Sequence, residues 1–245
     1  MSKAAELAKW GEVSTNGQVS GRRNIVYNGA MQVAQRSASV TGIAASTYAT
    51  VDRWKTAIGS TAGRLTQTQT AITDLSGFAF ATKLDCTTAD TSIAAGETLM
   101  FHQRFEGQDL QQLKKGTSDA EKITVSFFVK GNASATYTCE LQDTDNARFN
   151  SQEFSVTTSF TRVILTFVAD TTGALTNDNA LSFQLNIHLH AGSTFTGGSH
   201  TDNVWHTTAN QRVGDNQTSF FDSTDRTFFI TGVQMEVGSV ATPFE

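Results

Sequence analysis

The sequence predicts an all-β protein of antiparallel strands packed as a sandwich, and three observations carry that prediction. Apolar residues recur at every second position in several segments, the period of a strand with one dry and one wet face. Polar turn clusters separate those segments: Lys130-Gly131-Asn132, Asp143 to Asn146, Asp170 to Gly173 and Asn177 to Asn179. The composition agrees. Of 245 residues 19 are Gly and 1 is Pro, with 38% hydrophobic and 17% charged; this is too polar for membrane spans and too weakly charged for disorder. A chain of this length buries roughly 70–75% of its unfolded surface, so it needs neither disulfides nor metal to fold.

In chain order, Ser2 to Trp10 carries the one N-terminal helical signal, with Leu7, Ala8 and Trp10 as its apolar contacts. About two and a half turns do not hold together alone in water. Gly11 to Arg23 is rich in Gly, Ser, Thr and Asn and reads as a linker. Residues 1–23 are therefore expected to be a short helical or extended arm that docks elsewhere, and 24–245 a single sandwich domain. No run near the start is apolar enough for a secretory signal.

Within the body, Ile123, Val125, Phe127 and Val129 alternate with Thr124, Ser126 and Lys130, and Val163, Leu165 and Phe167 repeat the pattern. Leu181, Phe183, Leu185, Ile187 and Leu189 take one face of the clearest strand; Ser182, Gln184, Asn186, His188 and His190 take the other and are expected to be solvated. Phe229, Thr231, Val233, Met235 and Val237 are expected to share a face of the last strand. Leu110 and Leu113, three apart in Gln108 to Lys115, predict one short helix between strands.

Chemical motifs are sparse. A net charge of −5 argues against a nucleic-acid partner, whose phosphates favour a basic face. Cys86 and Cys139 lie in apolar surroundings and read as buried thiols; two cysteines alone are weak grounds for a disulfide. His188 and His190 stand one residue apart, but without a nearby carboxylate or Cys this spacing is weak support for a metal centre. Asp143, Asp145 and Asn146 offer oxygen ligands of the kind calcium takes, yet an Asx turn explains them more simply. No nucleophile elbow or phosphate-binding glycine loop is present, so no catalytic residue and no cofactor is expected. Paired acids for glycoside hydrolysis need not be close in sequence, which leaves a glycan-cleaving enzyme as the rival reading.

Two segments carry a family resemblance. One is Asn24-Ile-Val-Tyr-Asn28-Gly29-Ala-Met-Gln32-Val-Ala-Gln35-Arg36 with Asp52-Arg53-Trp54; the other is Gly232-Val-Gln234-Met-Glu236-Val-Gly238 with Ala241-Thr242-Pro243-Phe244-Glu245. Together they resemble a family of bacteriophage virion proteins, often tail-fibre or attachment components, whose pattern reads "NxxxNGxxQVxQRG", "DRW" and "GVQLEVGxxATPFE". Gln103-Arg-Phe-Glu-Gly107 resembles that family's "QxIEG", and Ile123 to Lys130 its "SFWVK" strand. Ser37 replaces the usual glycine and Phe128 a common Trp. Relatives often continue past the last motif, and any further adhesin or enzymatic domain they carry is not expected here.

The resemblance implies a jelly roll similar to carbohydrate-binding modules, carried on a virion assembled in the host cytoplasm. It implies a tail-fibre, knob or capsid decoration subunit, displayed outward and in contact with host-surface polysaccharide. Other phage structural proteins of head or tail would be partners, and a homotrimer the assembly. A purely architectural adaptor without ligand is a second rival. Asp52 and Arg53 are expected to pair at a strand end, with Trp54 filling the core. A glycan is expected near Gln184, Asn186, His188, His190, Trp205 and His206, because a sugar stacks its apolar face on a ring and offers hydroxyls to Asn, Gln and His. The long polar loop Gly192 to Asn210 carries Trp205 and His206; the alternative is that Trp205 plugs the end of the sandwich.

Overall fold

The computed structural model describes residues 3–4 and 23–245; the arm residues Leu7, Ala8 and Trp10 lie outside the described residues. The strands are β1 (Ser39–Ile43), β2 (Trp54–Gly59), β3 (Arg64–Ala71), β4 (Phe80–Thr88), β5 (Thr98–Glu106), β6 (Ile123–Gly131), β7 (Ala135–Asp143), β8 (Arg148–Val156), β9 (Thr161–Phe167), β10 (Leu181–Ala191) and β11 (Thr227–Val237). They form a six-stranded sheet in the order β1-β3-β4-β11-β6-β9 and a five-stranded sheet in the order β2-β5-β10-β7-β8. Every pairing is antiparallel. Strands adjacent in a sheet are mostly distant in sequence, the wrapping of an antiparallel jelly-roll β-sandwich. Leu110 and Leu113 are buried as expected, but on a 3₁₀ helix, Gly107–Leu113, whose three-residue period brings them into line.

The alternating residues meet between the sheets. Ile123, Val125, Phe127 and Val129 from β6 face Phe183, Leu185, Ile187 and Leu189 from β10 across one core. Aromatic rings join the layers: Phe127 meets Phe154 edge-on at 5.1 Å, and Tyr137 meets Phe228 at 5.5 Å. Trp54 is fully buried and stacks on Phe101 at 4.9 Å. Cys86 and Cys139 are buried and unpaired; burial pushes the Cys86 thiol up to about 11, which leaves it inert.

Two expectations of phase fail for the same reason. The register of β11 against β6 shifts between Thr231 and Gln234, where Gly232 takes a φ of +60°. This bulge moves the apolar set from one parity to the other, so Phe228, Ile230, Val233 and Met235 face the core, and Phe229 and Thr231 do not. Leu181 likewise leaves the core face, because β10 shifts register between Leu181 and Phe183.

The two ends of the body are clasped together. Asn24 Oδ1 accepts from Val26 N at 3.0 Å and Met235 N at 3.1 Å, while its Nδ2 donates to the Val233 carbonyl. Val233 N donates to the Gly29 carbonyl at 3.0 Å. Gln234 Oε1 accepts from Glu245 N, Glu236 accepts from Thr242 N and Oγ1, and Arg23 pairs with Glu245. Most of the motif residues thus serve packing.

Candidate functional site

The polar row on β10 points away from the core, as its period requires, but it is not solvated. Asn186 and His190 are fully buried, and Gln184 is only 8% exposed. The segment Gly192 to Arg226 folds over this face and fills it with partners. Arg212 donates Nε to Glu140 Oε1 at 2.7 Å and Nη2 to Glu140 Oε2 at 2.9 Å. His188 Nε2 lies 3.0 Å from the same carboxylate, and Asn186 Nδ2 donates to it at 2.7 Å. His190 is held between Ser219 Oγ at 2.8 Å and Glu97 Oε2 at 2.9 Å. Burial pushes the Glu140 carboxyl up, but Arg212 and then His188 outweigh it and hold the pKa well below the usual carboxylate range. The row expected to meet a glycan therefore has no open surface to offer one. Glu140 and Glu97 were missed because they come from β7 and a loop, distant in sequence.

Trp205 is half-buried at the edge of the core. Its Nε1 donates to the Val168 carbonyl at 2.8 Å, and its ring lies 6.4 Å from Phe183 and 5.1 Å below Lys115 Nζ. His206 forms a two-bond bridge with Phe149. Both act as plugs. Beside them, Asp143, one of the three residues expected to suit calcium, already meets a cation of the protein itself. The buried Lys115 ammonium meets Asp143, Asp170 Oδ2 at 2.9 Å and the carbonyls of Thr172 at 3.1 Å and Gly173 at 2.8 Å. Asp145 turns away to accept from Thr176 N, and Asn146 donates to Asp143 and to the Ala174 carbonyl.

An open concavity lies elsewhere, where the end of β5, the start of β10 and the loops before β2 converge. This pocket, about 330 Å³, is lined by Arg36, Tyr48, Arg53, Arg104, Glu106 and Asn179. Arg104 and Glu106 alternate with the core residue Phe105 along β5 and so project outward. Asp52 holds the loops side by side: its N donates to the Val33 carbonyl at 2.8 Å and its Oδ1 accepts from Gln35 N. Asp52 makes no ion pair with Arg53, contrary to the expectation. Arg53 takes a φ of +73°, an uncommon conformation for a non-glycine residue, and lies 4.7 Å from the Tyr27 ring centroid. Arg36 lies 5.5 Å from that of Tyr48. Isolated arginines leave no periodic signature, so sequence reasoning passed over them. The available signal was that Arg36, Arg53 and Arg104 each sit inside a motif segment whose other members are spent on packing.

No family model matches the chain, and no curated protein matches it. Several solved structures are similar to it over most of its length. A protein described as CBM4 is 11% identical, with 86% of this chain aligned to 99% of the other at a TM-score of 0.44. A family 11 carbohydrate-binding module from Clostridium thermocellum, solved with a mixed-linked β-1,3-1,4 tetrasaccharide, is 8% identical, covers 83% and 98% of the two chains and has a TM-score of 0.40. The enzymatically active domain of tailspike protein 4 from bacteriophage CBA120 is 14% identical, with 87% of this chain aligned to 21% of that one and a TM-score of 0.37. Likeness at this level says nothing of what this chain binds.

Proposed function

We propose that the chain is a non-catalytic structural subunit of a bacteriophage particle, a tail fibre, knob or decoration protein whose sandwich faces outward and contacts host-surface glycan. The virion placement, the homotrimer and the partnership with other head or tail proteins rest on the motif resemblance. The glycan contact rests on the pocket. It is where a half-buried aromatic ring, Tyr48, lines the wall beside Asn179 and arginine donors, the combination that takes the apolar face and hydroxyls of a sugar.

Replacing Tyr48 and Asn179 together by Ala is expected to weaken binding to host cells or purified surface polysaccharide about tenfold or more, with melting shifted by a few degrees at most. Unchanged binding would remove the pocket as the site. Release of oligosaccharides from capsular polysaccharide would replace the binder by the enzyme.

A further inference from the structure

The pocket's charge identifies what kind of glycan it takes. Among the described arginines, Arg23, Arg148, Arg212 and Arg226 pair with carboxylates, and Arg64 and Arg162 donate to backbone carbonyls. Arg36, Arg53 and Arg104 have neither kind of partner, and all three line the same pocket. All three are exposed. Lys55, on the outer face of β2, adds a fourth cation 6.0 Å from the Tyr48 ring. Burial and then repulsion from Arg104 lower the pKa of its ammonium, so Lys55 senses the Arg104 charge. Glu106, the carboxylate of the pocket, accepts from Gln108 Nε2 at 2.8 Å and pairs with none of them. On a chain of net charge −5, the three described arginines that pair with no carboxylate and donate to no backbone carbonyl line one concavity.

Crowded like charges raise the free energy of the empty site, and a bound anion relieves it. Guanidinium forks present parallel donors that match the two oxygens of a carboxylate or sulfate. The geometry points to an acidic saccharide, carboxylated or sulfated, as the ligand class of this pocket, an inference that rests on the glycan reading above. Its acid group lies against Arg53 and Arg104, and Tyr48 and Asn179 take the ring and hydroxyls.

The test is affinity electrophoresis of the full chain through gels containing alginate, dextran sulfate or uncharged dextran. An acidic polymer is expected to retard the protein more strongly than dextran does, and added salt to weaken the effect. Retardation by alginate alone assigns a carboxylate, and by dextran sulfate alone a sulfate. The double variant Arg53→Gln/Arg104→Gln is expected to bind about a hundredfold more weakly, roughly tenfold per arginine. The control Lys114→Gln/Lys122→Gln, removing equal charge elsewhere, is expected to bind as the parent does. Equal losses in both double variants would reduce the effect to diffuse attraction and overturn the inference. So would equal retardation by dextran and the acidic gels, or none by the acidic gels. If host-cell binding persists in those cases, the glycan reading stands without the acid; if it too is lost, both fall.

Discussion

His102 shows how a single side chain on the covered face couples to the open one. It sits on β5, 2% exposed, with Nδ1 3.2 Å from Asn186 Oδ1, and Arg104 follows on the same strand face. Burial first, and the Arg104 charge second, push its pKa down to about 4 from the ordinary 6.5. Above pH 6.5 the imidazole is neutral in both folded and unfolded chains and contributes no pH dependence. As pH falls from 6.5 towards 4, the unfolded chain takes up a proton that the folded one refuses, so stability drops across that window by roughly 3 kcal/mol. His102→Gln is expected to remove that component from chemical denaturation curves measured between pH 7 and 4. In Arg104→Gln, an NMR titration is expected to place the His102 midpoint above that of the parent; an unmoved midpoint would refute the coupling.

Strand β11 and the segment that returns to it set the tolerance of the fold to change at element scale. A Cβ on Gly29 would stand 2.0 Å from the Val233 carbonyl oxygen, in backbone that cannot give way cheaply. Gly29→Ala is therefore expected to cost several kcal/mol, of the order of the largest single-residue effects, and to lower Tm sharply; near-parental melting would show the clasp to be dispensable. This element also marks where sequence reading stops. The period of two located β6, β9 and β10 and told which side chains share a face, because orientation is a local property of the strand. Burial is not local. What lies above Asn186 and His188 is Arg212, and no periodicity links positions that far apart. The bulge at Gly232 defeated the phase of β11 because one inserted residue inverts every side chain beyond it. The pocket was the least legible part, its lining residues coming from the loops before β2, the end of β5 and the approach to β10.

For the whole molecule, the bonds from Arg23 and Asn24 to the last segment belong to the sandwich rather than to residues 2–20. Deleting residues 2–20 is expected to leave Tm within a degree or two of the parent while abolishing incorporation into particles, measured by blotting purified virions. Normal incorporation would refute an anchoring arm. In solution, light scattering is expected to report three times the chain mass. The clasp also determines how such a body bears mechanical load. A pull applied at residue 23 enters through Asn24 and through Ile25 N, which donates to the Met235 carbonyl at 2.9 Å, directly into β11. That strand lies inside its sheet, between β4 and β6. At Met235 it is paired with β6, and its ladder with β4 runs over Thr227 to Ile230, so the load passes first into β6 and then, further along β11, into β4. A sandwich held at residue 23 would thus be slung from its keel, an interior strand, rather than from an edge.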